Sequence, residues 1–250
     1  MSGHSKWSTI KRRKGAEDAK RGKLFTKLTR AIIIAAREGG PDPEANVALA
    51  NAIAKARSYS MPKDNIERAV TRATGGGEGS DAYEPVSYEG YGPDGVAIIV
   101  EALTDNRNRT AADVRSIFAK HNSSLGTPGS VAWQFDRMGM IEVAVEGVDE
   151  DELTLAAADA GAEDVQADGG SFRVTTMPAD LAAARDALEQ AGFPIESAEL
   201  TMVPKNTVSL EEDSARKLLR LIDGLEDLDD VQDVYANFDI PDAVLEAVAG

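Results

Sequence analysis

Two hydrophobic rhythms divide this chain of 250 residues, and a glycine run stands between them. From Phe25 to Ala73 the apolar side chains recur three and four apart, the spacing of one helix face. Beyond residue 83 they alternate, or cluster in short β-branched runs bounded by turn residues. The run Gly75-Gly76-Gly77, within 75–80, reads as the linker. This order confines the chain to a helical front followed by a mixed body.

The front divides into three helices. Phe25, Leu28, Ile32 and Ala36 form one stripe, which predicts a helix from Lys23 to the stop at Gly39-Gly40-Pro41. Asp42-Pro43 supplies an N-cap and a proline for a second helix, running to about Ser58 with Val47, Ala50, Ile53 and Ala54 inward. Pro62 opens a third, carrying Ile66, Ala69, Val70 and Ala73. Residues 1–22 have no apolar periodicity and are interrupted by Gly15 and Gly22, so they read as an extended or conditionally ordered arm.

In the body, 85–91 and 96–103 read as strands around the Gly92-Pro93-Asp94-Gly95 turn, followed by a helix over 111–121 and a strand over 130–135. Next come a strand at 140–145, a helix at 151–160, strands at 164–167 and 171–176, a helix at 179–191 and a strand at 195–203. That βαββαβ order is the ferredoxin-like split. A last helix over 210–221 and a strand over 231–238 are too few for a domain and complete the earlier sheet. The fold class expected is α+β: an N-terminal three-helix domain followed by two α/β sandwich domains, one ferredoxin-like and inserted into the other. The boundaries are 1–22 for the arm, 23–79 for the helical domain, 80–136 plus 205–240 for the discontinuous domain and 137–204 for the ferredoxin-like domain.

Charge is distributed as unevenly as hydrophobicity. The first thirty residues hold ten Lys/Arg against two acids. Residues 1–79 balance to +8 and residues 80–250 to −24, giving the −16 of the whole chain. A polyanion is neutralised by the first segment and repelled by the second. The alternative for the basic segment is a solvated tail. The absence of cysteine excludes disulfides and thiol chemistry and suits a reducing compartment. No apolar run approaches the ~18 residues of a membrane span, and nothing resembles a signal peptide, so a cytoplasmic protein is expected.

Most enzyme signatures fail. Only His4 and His121 are present, so a histidine metal site would need carboxylates to do nearly everything. A triad would have to use one of these two, of which His121 sits at a helix end and reads as a cap or solvated side chain. No phosphate-binding G-x-x-x-x-G-K-[ST] exists, because Gly22-Lys23 precedes Leu24 and Glu17 stands where the first glycine belongs. The acidic run at 223–233 lacks calcium-loop spacing and reads as a solvated turn. The expectation is a protein without catalysis, cofactor or metal.

Three constellations remain. In the arm and the helix behind it, Lys6, Trp7, Lys11, Arg12, Arg13, Lys14, Lys20, Arg21, Lys23, Lys27 and Arg30 are candidate nucleic-acid contacts. Arg107 and Arg109, in Asn106-Arg107-Asn108-Arg109-Thr110, lie between a strand and a helix that Asn108 or Thr110 could cap. There two guanidiniums hold phosphate, or else pair with carboxylates of the acidic body. In LGTPGSVAWQF at 125–135, Trp133 and Phe135 share a strand face, which favours core over a base-stacking platform.

Together these segments resemble the YebC family. The matching stretches are GHSKW at 3–7, DAKRGKLFTKL at 18–28, YEGYGPDGVAIIVEALTDNRNRT at 88–110, GSVAWQF at 129–135, AGAEDV at 160–165 and LLRLIDGLEDLDDVQDVYAN at 218–237. The chain departs from the family at Asn122-Ser123-Ser124, where glycines followed by Asn are usual. The resemblance implies a three-domain, non-catalytic protein. Bacterial members are generally assigned as DNA-binding transcriptional regulators. A mitochondrial relative activates translation of cytochrome c oxidase subunit I, and bacterial members are also linked to ribosomes stalled at proline runs. The partner expected is therefore DNA, with RNA or the ribosome as alternative, and the chain is expected to be a monomer. A small-molecule sensor ranks last.

Overall fold

A computed structural model describes residues 18–74, 83–168, 170–241 and 244. The elements in chain order are α1 (Asp18–Gly39), α2 (Val47–Ser58), α3 (Lys63–Thr74), β1 (Glu84–Tyr91), β2 (Ala97–Thr104), α4 (Arg107–Lys120), β3 (Ser124–Leu125) and β4 (Phe135–Ala144). They continue with α5 (Glu150–Asp159), β5 (Ala162–Asp168), β6 (Ser171–Thr176), α6 (Leu181–Gln190), β7 (Ile195–Pro204), β8 (Val208–Ser209), α7 (Glu212–Glu226), β9 (Val231–Ala236) and β10 (Phe238–Asp239). Mixed α and β structure behind a helical front is the class expected. The described residues form two compact units. One comprises those up to 27, those of 83–136 and those from 203 onward; the other comprises those of 28–74 and 137–202.

The first unit is built on a four-stranded sheet in the order β3-β1-β2-β9. β2 pairs antiparallel with β1 on one side and with β9, more than a hundred residues away, on the other. Its core joins Val96, Ile98 and Val100 to Val114 and Phe118 of α4 and to Leu218, Leu221 and Ile222 of α7. Gly90 on β1 is required by this packing, because a Cβ there would lie 2.5 Å from a ring carbon of Phe118.

The second unit contains the sheet β5-β6-β4-β7, the strand order of the βαββαβ split. Its core is Ile141, Val143, Phe172 and Val174 under Leu153, Ala157, Leu181, Ala184 and Leu188. The helical residues of this unit bury Leu28, Ile32, Leu49, Ile53, Met61 and Ile66. Lys55 of α2 lies 3.6 Å from Glu199 of β7.

Several local expectations are corrected. α1 begins at Asp18 rather than Lys23, and Gly22 lies inside it. One exposed glycine costs only about 1 kcal/mol in a helix, too little to break one of 22 residues. The N-cap of α2 is Asn46, not Asp42. Its side chain accepts from Leu49 N at 3.1 Å and donates to the carbonyls of Ala35 and Gly40, both at 2.7 Å. Asp42 instead closes a turn onto Glu44 N. The later start turns Leu49, Ile53 and Ala56 inward and leaves Val47 in solvent. The strand expected over 130–135 is a 3-10 turn at Ala132–Gln134, with β4 starting at Phe135. The glycine linker at 75–80 lies outside the described residues.

Candidate nucleic-acid interface

The thirteen basic and aromatic candidates fall into three groups. Lys6, Trp7, Lys11, Arg12, Arg13 and Lys14 lie outside the described residues. Lys20 and Arg21 lie on the first turns of α1. Lys23, Lys27, Arg30, Arg107 and Arg109 are placed with their side chains.

Lys23 and Lys27 are spaced to project one turn apart from the same face of α1, and both reach the C-terminal end of α7. Lys23 donates to the Asp227 carbonyl at 3.2 Å and lies 3.8 Å from the Asp229 carboxylate. Lys27 donates to the Glu226 carbonyl at 2.5 Å. The last carbonyls of a helix have no partner of their own and carry the negative end of its dipole, so ammonium groups are stabilising there. Burial pushes the Lys27 ammonium below its ordinary pKa, against the opposing pull of Glu226, Asp233, Asp229 and Asp227. Arg30 is half-buried.

Arg107 and Arg109 occupy the first turn of α4, not a loop before it, because the N-cap is Asn106, whose side chain accepts from Arg109 N at 3.1 Å. Asn108 and Thr110 are inside the helix. The two arginines separate. Arg107 makes an exposed ion pair with Glu84 at 3.2 Å. Arg109 bridges Asp105 at 2.6 Å and Asp230 at 2.7 Å. The carboxylate pairing left open by the sequence is thus present at both. Asp230 is only 8% exposed, and Thr110 Oγ1 donates to it at 2.7 Å. The hydrogen bonds to Asp230 and Asp105 hold the Arg109 guanidinium well above its already high pKa. No sequence signal separated Asp230 from the acids around it in 223–233; its burial comes from β9 joining β2.

The segment over 125–135 differs most from expectation. Phe135 is buried, but Trp133 is 66% exposed, because the 3-10 turn breaks the alternation that would have placed both on one face. The turn is held from beneath by Glu89 of β1. Its carboxylate, 8% exposed, accepts backbone N–H groups from Gly129, Val131 and Ala132 at 2.6, 2.7 and 2.8 Å. Burial alone would raise the Glu89 pKa, but these three amides outweigh it and hold the carboxyl below the usual range. Trp133 Nε1 donates to the Ser130 carbonyl at 3.1 Å, and the Tyr91 hydroxyl donates to the same oxygen at 3.0 Å. Asn237, nearly fully buried, accepts from Ala97 N at 2.7 Å and donates to Gln134 Oε1 at 3.1 Å, tying the turn to β2. Among the described residues, no helix is long and apolar enough to cross a membrane.

Residues 5–76 match the model of the TACO1/YebC protein N-terminal domain, and residues 83–238 match that of the TACO1/YebC second and third domain. A "Probable transcriptional regulatory protein" of Rubrobacter xylanophilus is 60% identical over 250 residues, covering 100% of both chains. A protein of the same description from Acidothermus cellulolyticus is 55% identical over 248 residues, 99% of this chain and 100% of that one. The crystal structure of a conserved hypothetical protein, Aq1575 from Aquifex aeolicus, superimposes with a TM-score of 0.80 at 49% identity, covering 90% of this chain and 92% of that chain. With both family models matched in order along nearly the full length, the chain belongs to the TACO1/YebC family.

Proposed function

We propose that this protein regulates gene expression by binding nucleic acid and catalyses no reaction. The observation that carries this reading is the charge polarity: ten Lys/Arg in the first thirty residues, on a chain whose remainder from residue 80 balances to −24. Such a molecule meets a polyanion with one end only. The relatives' description as probable transcriptional regulatory proteins favours DNA as the partner.

A second reading, association with RNA or the ribosome as a translation factor, is favoured by the start of α3. A helix that reads a major groove presents base-reading side chains from its first turn. α3 opens with Lys63, Asp64 and Asn65, and Asn65 is engaged by Arg68 at 2.7 Å.

Removing residues 1–17 tests the reading. This takes away Lys6, Lys11, Arg12, Arg13 and Lys14, so binding should fall by orders of magnitude. The plot of log K against log salt should flatten by about 4. Unchanged affinity and slope would refute it. Crosslinking in cells, followed by identification of the attached nucleic acid, decides between DNA and RNA.

A further inference from the structure

We infer that Trp133 is a stacking platform for an unpaired nucleobase, presented by the Glu89-latched turn. This inference deepens the nucleic-acid reading above and rests on it. Among the described residues Trp133 is the only exposed aromatic side chain. Folding gains little from an indole left 66% in water, yet the chain commits a buried carboxylate, three backbone amides and a tyrosine hydroxyl to the turn that carries it. The indole itself is oriented by its own hydrogen bond to Ser130 O. The platform is therefore built before any ligand arrives, so little ordering remains to be done on binding.

The surroundings suit a base rather than a charged peptide. Residues 122–135 carry no charged side chain, in a chain where 28% of residues are charged. The segment itself therefore puts no negative side chain beside the indole. Lys205 is held beside the turn by its backbone N–H, which donates to the Gln134 carbonyl at 2.8 Å. Its ammonium lies 3.0 Å from Asp136 and its side chain is about half exposed, which leaves a cation beside the turn for the phosphate next to a stacked base. Bases stack on aromatic faces with little sequence preference, so the site takes unpaired nucleotides without selecting a sequence. Duplex DNA, with its bases stacked inside, does not offer them.

The test uses the full chain with a single-stranded oligouridylate of about ten nucleotides, an oligothymidylate of equal length and an abasic strand of equal length. One 5-iodouridine in the first probe forms a photo-crosslink with the aromatic ring it stacks on, and the attached peptide is mapped. The crosslink is expected at Trp133. Trp133→Ala should weaken oligouridylate binding by about 5- to 100-fold with an unchanged salt slope, and Trp133→Tyr should retain most of the affinity. The abasic strand should bind wild type and Trp133→Ala alike. Equal effects on both base-bearing probes assign the site to bases in general, and a larger effect on the uridylate assigns it to RNA. Crosslinks only elsewhere, or equal affinity of Trp133→Ala and wild type for both base-bearing strands, overturn the platform and leave the reading above standing. Failure of wild type to bind these probes at low salt, with a DNA duplex of equal length still bound, overturns the platform alone, and failure on the duplex as well overturns both.

Discussion

Arg109 reaches Asp230, 121 residues further along the chain, at 2.7 Å, and in doing so joins the first turn of α4 to the entry of β9. The same guanidinium holds Asp105 at 2.6 Å. Arg107, two positions earlier, makes an exposed pair with Glu84. Two arginines that look equivalent in the sequence are therefore unequal in the molecule.

Replacing Arg109 by Gln should lower the melting temperature, because a buried carboxylate loses its charged partner. The loss should shrink in an Asp230→Asn background, where there is no charge left to strand. Arg107→Gln should leave the melt unchanged, since exposed pairs contribute little. If Arg107 also touches phosphate, that variant should reduce the salt slope by about 1. Thermal melts of the three single variants and the Arg109–Asp230 double variant, with binding titrations at two salt concentrations, check this.

Glu89 gives a pH prediction. Its folded pKa lies below the ordinary value of a glutamate carboxyl. Its contribution is therefore complete above that value and is lost as pH falls through the folded pKa. Glu89→Gln puts an amide donor against one of three backbone N–H groups and should cost about 2 kcal/mol at neutral pH. It should also remove part of the acid sensitivity of the melt. Denaturation curves of both proteins between pH 6 and 3 measure the difference.

Lys27 serves two readings that stability separates. As a cap on the α7 carbonyls, its replacement by Gln should cost about 1 kcal/mol and leave the salt slope of nucleic-acid binding unaltered. As a phosphate contact it should do the reverse, reducing the slope by about 1 without destabilising the fold. The 2.5 Å hydrogen bond to Glu226 O leads us to expect the first outcome. Chemical denaturation alongside titrations at two salt concentrations distinguishes them.

Residues 137–204 should fold as an isolated fragment, because Ile141, Val143, Leu153, Phe172, Val174, Leu181 and Leu188 form a core among themselves. Residues 80–136 alone should not, since Leu218, Leu221, Ile222, Val231 and Val234 supply much of the core around β2. Cooperative melting, followed by circular dichroism on each fragment, is the measurement. A cooperative transition in the 80–136 fragment would contradict the dependence on 205–240.

Period and punctuation in the sequence determined most element types and the βαββαβ order, because Ile141 and Val143, or Phe172 and Val174, alternate for reasons internal to each strand. The charge polarity is likewise a property of the sequence alone. The tertiary structure decided what each polar group does. Lys27 is one basic residue among ten in the first thirty of the sequence, and only α7 gives it a helix end to hold, while Asp230 looks like one acid among many until β9 pairs with β2 and buries it. Trp133 follows the alternation of a strand only until Glu89, from another strand, captures three amides and bends the segment into a turn. Hydrophobic period is local and survives in one dimension. Hydrogen-bond partners of buried charges lie tens to more than a hundred residues away, so they exist only once the sheet has closed.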